Sequence, residues 1–318
     1  MGYNPFVSII IPCRDVDNYA KECVESCKQL EYEGFEIIVL PDCTQEMAID
    51  GVKVIPTGPV LPGAKRNIGL DNAGGELCAF IDSDAYPNRD WLRNAVTYLQ
   101  DDGVAAVGGP GLTPEADSVM QKASGYVLSS FMVGNLSRRY SVKRNFESDD
   151  IHSCNFIARK SVLEEVGGWD EHYWPGEDTL LSLAIRRKGK KLVEASDVVV
   201  YHHRRSLFLG HLKQVWRFGL HRGFFTKRFS ENSRRLTYFL PSVLVTGLVG
   251  GLVLSFLVPV LRWVYGPFLV AYVVMCIFEG LKTDNIRMAL PVSVGIVLTH
   301  MAYGVAFLKG LVVQNLRI

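Results

Sequence analysis

The sequence predicts an α/β domain on a mostly parallel sheet, followed by helices that lie on and cross a membrane. Three observations lead there. Short β-branched or apolar runs alternate with helix-length segments over residues 1–205. Acidic residues recur just past those runs, at Asp15, Asp42 and Asp82/Asp84. Residues 236–308 are almost all apolar, and they hold much of the 48% hydrophobic content of the 318-residue chain.

The elements follow in order. Phe6–Ile11 reads as a strand closed by Pro12, and Tyr19–Leu30 as a helix capped by Asp17 or Asn18. Phe35–Leu40 is a second strand, ending at Pro41-Asp42, and Val52–Ile55 a shorter third. Gly63 to Leu70 opens a helix, Leu77–Ile81 is a strand, Trp91–Leu99 a helix and Val104–Val107 a strand. Residues 112–150 have weak periodicity, and Ser137–Asp150 suits a solvated loop or a lid. Ile151–Arg159 reads as a strand and Val162–Val166 as a short helix. Glu177-Asp178 opens an amphipathic helix burying Leu180, Leu181, Ala184 and Ile185, and Val198–Tyr201 is a last strand before His202-His203. Parallel sheets bind ligands beyond the C-terminal ends of their strands, where Asp15, Asp42, Asp82 and Asp84 converge.

Asp82 and Asp84 carry the sharpest chemistry. At i and i+2 of a strand end they share a face. Two carboxylates so close repel unless a cation lies between them, and Mg²⁺ or Mn²⁺ prefers such oxygen ligands. Alone, Asp82-Ser83-Asp84 also suits a solvated turn or a cap for the helix at Trp91.

A net charge of +1 provides no global field for a nucleic-acid partner. Seven cysteines without a Cys-x-x-Cys pair suggest reduced thiols rather than a disulfide framework. Met1-Gly-Tyr-Asn-Pro lacks the basic and apolar regions of a secretory signal. No G-x-G-x-x-G follows the first strand, which argues against a nicotinamide-binding domain.

Ser8-Ile9-Ile10-Ile11-Pro12, Asp42, Gly63-Ala64-Lys65-Arg66-Asn67, Asp82-Ser83-Asp84, Gly167-Gly168-Trp169-Asp170 and Gly176-Glu177-Asp178 occur in this order. The combination resembles the inverting glycosyltransferases of family 2, which have the GT-A fold with its nucleotide-sugar-binding, Rossmann-like sheet; the likeness runs from about residue 6 to about residue 220. The resemblance implies that Asp82-Ser83-Asp84 is the DxD motif holding Mg²⁺ or Mn²⁺ on the donor diphosphate. Asp84 would be the direct ligand and Asp82 would touch ribose or metal. Pro12, Arg14, Asp15 and Asp42 would line base and ribose, with Lys65 and Arg66 at the phosphates. Glu177-Asp178 matches the ED motif, which makes Asp178 the general base and Glu177 its support. His203 is the expected further metal ligand. Gln214-Val215-Trp216-Arg217-Phe218 resembles a QxxRW signature with Phe218 in place of the tryptophan. It assigns Gln214, Arg217 and Phe218, together with Trp169, to the acceptor or diphosphate.

Leu236–Leu261 is uncharged over 26 residues and Met288–Leu308 over 21, enough to span a membrane, whereas Trp263–Phe278 provides only 16. Two or three spans are therefore expected. Arg204–Arg235 holds nine Lys/Arg against Glu231 alone, interleaved with aromatics, and reads as basic amphipathic helices on an anionic leaflet. The expected organisation is a transferase domain over 1–205, interfacial helices over 206–235 and a transmembrane region over 236–318. By the positive-inside rule the enzyme domain is cytoplasmic, at the plasma membrane. The expected activity is sugar transfer from a UDP- or GDP-sugar to a membrane acceptor, polyprenyl-linked by analogy, in surface-glycan assembly. A processive polysaccharide synthase, a polyprenyl-phosphate monosaccharide synthase and a non-catalytic membrane scaffold are the alternatives.

Overall fold

A computed structural model describes residues 3–43, 50–134, 140 and 144–316. The chain divides into two compact units, Met1–Leu112 with Ser141–His203, and Thr113–Tyr140 with Arg204–Leu316. The expected transferase segment of 1–205 thus lends residues 113–140 to the unit that holds the C-terminal helices.

The first unit opens with β1 (Val7–Pro12), α1 (Asn18–Lys28), β2 (Phe35–Leu40), β3 (Lys53–Val54) and α2 (Pro62–Asp71). It continues with β4 (Leu77–Phe80), β5 (Ala85–Pro87), α3 (Trp91–Tyr98), β6 (Val104–Gly108) and β7 (Gly111–Leu112). After α4 (Val119–Ser129) and α5 (Phe131–Gly134) of the second unit come β8 (Phe146–Ser148), β9 (Phe156–Arg159), α6 (Lys160–Val166), α7 (Glu177–Arg187), β10 (Lys191–Glu194) and β11 (Val200–His202).

One sheet has the order β3-β2-β1-β4-β9-β6-β10-β8, and a small second sheet the order β5-β11-β7. Strands β3, β2, β1 and β4 are parallel, as are β6 and β10, whereas β9 and β8 run antiparallel to their neighbours. Period-two alternation along β1 builds the layers. Val7, Ile9 and Ile11 join a core with Ala20, Cys23, Val24 and Cys27 of α1 and Trp91 and Leu92 of α3. Ile10 joins the opposite core with Leu70, Val162, Leu163, Leu181 and Ile185 of α2, α6 and α7. Cys13, Cys23, Cys27 and Cys78 are buried as thiols in the first unit, in line with the reduced thiols expected from the sequence.

The expected strand over Ile151–Arg159 is a strand only from Phe156; a 3-10 turn over Ser153–Asn155 precedes it. Within Ser137–Asp150, residues 137–139 and 141–143 lie outside the described residues, and Phe146–Ser148 pairs with β10 as an edge strand. On α7 the buried set is Glu177, Thr179, Leu181, Ser182, Leu183 and Ile185, with Leu180 and Ala184 half-buried.

The second unit adds α8 (Leu209–Arg228), α9 (Ser230–Ser233), α10 (Leu236–Leu257), α11 (Arg262–Leu281) and α12 (Ile286–Val312). Among the described residues, three helical stretches are long and apolar enough to cross a membrane, Leu236–Leu257, Pro259–Leu281 and Ile286–Val312. The middle one is longer than its uncharged run suggests, because Arg262, Glu279 and the Pro259–Leu261 turn extend it. Helix α8 differs from a free amphipathic surface helix. A Cβ on Gly219 would stand 2.7 Å from the Tyr303 carbonyl oxygen, and one on Gly223 2.1 Å from that of Phe307. Its small-residue face therefore closes on the backbone of α12. Lys213, Arg217, Lys227 and Arg228 remain exposed.

His211 of α8 is fully buried. It meets Ser124 Oγ of α4 through Nδ1 at 2.8 Å and Thr299 Oγ1 of α12 through Nε2 at 2.8 Å. Burial pushes its pKa down from 6.5 to about 4. Its folded value lies below its unfolded one, so stability is complete above about pH 6.5 and is lost as pH falls towards 4. The expected loss is roughly 3 kcal/mol, at about 1.4 kcal/mol per unit. Chemical unfolding of the lipid-reconstituted protein between pH 4 and 7 reads it. His211→Gln should flatten the slope, and an unchanged slope would refute the assignment.

Candidate active site

Strands β1, β2 and β4 are parallel, so the loops that follow them open on one edge of the sheet. Cys13 N donates to the Leu40 carbonyl at 3.2 Å and Asp42 N to the Arg14 carbonyl at 2.9 Å, which joins the first two loops. Pro12 is buried beneath them, whereas Arg14 and Asp15 are exposed, with Arg14 Nε 3.7 Å from Asp15 Oδ2.

Helix α2 ties the loops together. Successive residues on a helix point about 100° apart, so Lys65, Arg66 and Asn67 reach three different segments. Buried Lys65 sets Nζ 2.7 Å from Asp42 Oδ1 and donates to Thr57 Oγ1 at 2.6 Å and the Leu40 carbonyl at 3.2 Å. Three donors are thereby engaged, and the lysine anchors Asp42 rather than reaching for a phosphate. Arg66, 2% exposed, sets NH2 2.7 Å from Asp82 Oδ1 and NH1 2.9 Å from Glu177 Oε1, with its guanidinium 4.8 Å from the centre of the Trp169 ring. Asn67 donates to the Trp169 carbonyl and accepts from the Trp169 amide, at 2.9 and 2.8 Å. Gly168 has φ +76° and lies so close to Asn67 that a Cβ there would stand 2.5 Å from Oδ1. That approach explains a glycine before the tryptophan.

Asp82 and Asp84 fall in the turn after β4 rather than within the strand, and Ala85 N donates to the Asp82 carbonyl at 3.0 Å. The turn folds both carboxylates inward. With His202 they offer three ligand atoms within 4.8 Å of one another, and His202 Nε2 lies 3.1 Å from Asp84 Oδ1. The two carboxylates suit Mn²⁺ or Mg²⁺, and the imidazole nitrogen favours the transition metal Mn²⁺ over the hard, oxygen-seeking Mg²⁺. The second sheet supplies the histidine, because His202 of β11 pairs opposite Ala85 of β5. Burial opposes protonation of His202, but Cys154 and Asp84 raise its pKa well above the usual range.

The expected ligand His203 is turned away. Its Nε2 lies 3.0 Å from Glu22 Oε2 and its ring 4.4 Å from that of Tyr19. Neighbouring residues on a strand point to opposite faces, so only one of the pair faces Asp84. Trp169 is likewise no sugar platform. It is 2% exposed and packs against Phe80 and Phe156, with Arg66 over its face.

Glu177 and Asp178 form the first turn of α7, after Gly176 at φ 125°. They differ sharply. Glu177 is buried, accepts from Gly176 N at 3.0 Å, and is pushed up to about 7 by burial, against Arg66 and with help from Asp178. Asp178 is half-buried and accepts from Thr179 N at 2.8 Å. A helix N-terminus favours its ionised form. Gln214, Arg217 and Phe218 lie on α8 in the second unit, where the Arg217 carbonyl accepts from His221 Nδ1 at 3.0 Å.

The model of glycosyl transferase family 2 matches residues 8–167, half of the chain. The chain belongs to that family. Within this glycosyltransferase family, it is 26% identical to glycosyltransferase AglE of Haloferax volcanii, over 68% of this chain and 72% of that one. It is 23% identical to a Methanococcus voltae protein named dolichyl N-acetyl-alpha-D-glucosaminyl phosphate 3-beta-D-2,3-diacetamido-2,3-dideoxy-beta-D-glucuronosyltransferase, over 98% of both chains. Among solved structures, mannosyltransferase PcManGT from Pyrobaculum calidifontis, in complex with GDP-Man and Mn²⁺, superposes with a TM-score of 0.65 at 16% identity. That match covers 95% of this chain and 87% of the other, and it supports the GT-A fold. Of the His202-His203 pair, it is His202 rather than the expected His203 that faces the acids, and the pairing of β11 with β5 selects it.

Proposed function

We propose that this glycosyltransferase is metal-dependent and inverting, and moves a sugar from a nucleotide-sugar donor to a lipid-linked acceptor at the cytoplasmic face of a membrane. The observation that carries this reading is the trio Asp82, Asp84 and His202, bridged by Arg66 to the turn that presents Asp178. In this reading Asp84 and His202 hold the ion, with Asp82 steadied by Arg66. A bound divalent cation would neutralise charge on the departing nucleoside diphosphate. Asp42, fixed by Lys65, faces the nucleoside together with the loop of Pro12, Arg14 and Asp15. Asp178 takes the proton of the acceptor hydroxyl as that oxygen attacks the anomeric carbon from the side opposite the leaving group, and this inverts the centre.

The names of the relatives support the finer assignments. The Pyrobaculum enzyme was solved with GDP-Man and Mn²⁺, in favour of a nucleotide sugar and a divalent ion. The Methanococcus protein, similar over nearly its whole length, is named for a dolichyl phosphate-linked sugar acceptor. Three membrane-length helices and the exposed bases of α8 suit such an acceptor and a cytoplasmic site.

The test is donor turnover by purified protein in lipid nanodiscs, screening UDP- and GDP-sugars with Mn²⁺, with and without polyprenyl phosphate or a polyprenyl-linked sugar. Metal- and lipid-dependent nucleoside diphosphate release is the expected result. Activity on bare polyprenyl phosphate alone would make the protein a monosaccharide-lipid synthase, and no metal-dependent donor binding would end this reading. Asp84→Asn should cost about 3–4 kcal/mol of charge stabilisation, roughly 10²- to 10³-fold in turnover. Equal rates for the variant and the parent would remove Asp84 from the metal.

A further inference from the structure

We infer that Cys154 and His152 are positioning residues for His202, holding the hydrogen on its Nδ1 so that Nε2 is the nitrogen presented to a cation bound between Asp82 and Asp84. The inference rests on the reading of these three residues as a divalent-cation site.

A chain of hydrogen bonds inside the first unit carries it. His152 Nε2 lies 3.0 Å from the Gly109 carbonyl oxygen. A carbonyl only accepts, so that nitrogen bears the hydrogen. His152 Nδ1, 2.8 Å from Cys154 Sγ, is then the acceptor of the thiol proton in the neutral ring. The sulfur keeps its lone pairs for a second bond, and Cys154 is hydrogen-bonded to the His202 side chain. Nε2 of His202 faces Asp84, which leaves Nδ1 for the sulfur. The polarity therefore runs one way, from Nδ1–H of His202 to sulfur, from S–H to His152 and from Nε2–H to Gly109.

His152 is 8% exposed and Cys154 5% exposed, so water competes little for these bonds. Gly111 of β7 brings the group together. A Cβ there would lie 3.6 Å from His152 Cε1, 3.7 Å from His202 Cβ and 3.8 Å from Cys154 Sγ. An imidazole ligand needs its second nitrogen tethered to hold tautomer and orientation, and losing such a tether costs roughly 10- to 100-fold in metal affinity.

The experiment is Mn²⁺ binding to full-length protein in nanodiscs, read by electron paramagnetic resonance of free Mn²⁺. Cys154→Ala should bind Mn²⁺ roughly 10- to 100-fold more weakly. Cys154→Ser, whose hydroxyl donates and accepts at the same place, should restore most of that loss. An alanine variant that binds as tightly as the parent would overturn the inference, as would a serine variant no better than alanine. Histidine ¹⁵N spectra of the unaltered protein with saturating Mg²⁺ give a readout independent of folding of the variants. The expected pattern for His202 is protonated Nδ1 and bare Nε2, and the reverse tautomer would also overturn it. If Asp84→Asn binds Mn²⁺ as well as the parent does, the cation-site reading itself fails, an outcome distinct from a result confined to Cys154.

Discussion

Asp178→Asn is expected to leave nucleotide-sugar binding intact and to lower turnover by about 10²- to 10⁴-fold, the range that general-base catalysis contributes. The two acids of the α7 first turn are adjacent in sequence but not equivalent. Glu177 is inside the protein, with Arg66 at 2.9 Å and its own carboxyl pushed up to about 7 by burial. It has neither the exposure nor the freedom to meet an acceptor. Asp178, half-buried, is the more accessible of the two, and its Oδ1 is oriented by the Thr179 amide. Asparagine keeps that acceptor and the size of the side chain but cannot take a proton at neutral pH. Donor affinity by calorimetry and single-turnover rates separate the two effects. Unchanged turnover in Asp178→Asn, with loss in Glu177→Gln, would move the base to Glu177.

Much of this site was legible in the sequence, because its parts follow strand ends and helix starts. The acids after β1, β2 and β4 needed only the parallel order of those strands to meet on one edge. The Lys65-Arg66-Asn67 run was legible as a motif but not in its roles. A cation beside a helix start suits a phosphate, yet Lys65 faces inward to Asp42 and Thr57. Trp169 faces inward too, at 2% exposure, since an aromatic in a glycine-rich loop says nothing about its burial. The choice of His202 over His203 is a matter of strand parity, fixed by the three-residue pairing of β11 with β5, too short to read from periodicity. Helix α4 was hidden in a segment of weak amphipathic pattern, because it packs on other apolar helices rather than on a sheet with one wet face.

Arg66→Met is expected to destabilise the protein by about 3–5 kcal/mol, the cost of removing one partner from a buried ionic group. Arg66 is 2% exposed and bridges Asp82 and Glu177, with Trp169 against its face. Methionine replaces the stem but neither ion pair. Lysine would not restore the group, since a single ammonium lacks the planar fork that reaches two carboxylates at once. The pH dependence gives the effect a signature. Arg66 holds the Glu177 pKa down against burial, so in the variant it should rise above the native value of about 7. A folded value above the ordinary 4.5 means that the folded state holds a proton the unfolded chain releases, and stability falls as pH rises through that window. In the native protein this fall ends near pH 7, whereas in the variant it continues beyond. The stability gap between the two should therefore widen from pH 7 to about 8.5. Denaturant unfolding at both pH values measures it. A gap that is constant with pH would mean that Arg66 does not set the charge of Glu177, and a variant within about 1 kcal/mol of the parent would mean that the buried bridge contributes little to the fold. Either way, Asp82 loses the contact that orients it towards Asp84, so donor affinity with Mn²⁺ should fall even in the fraction that stays folded.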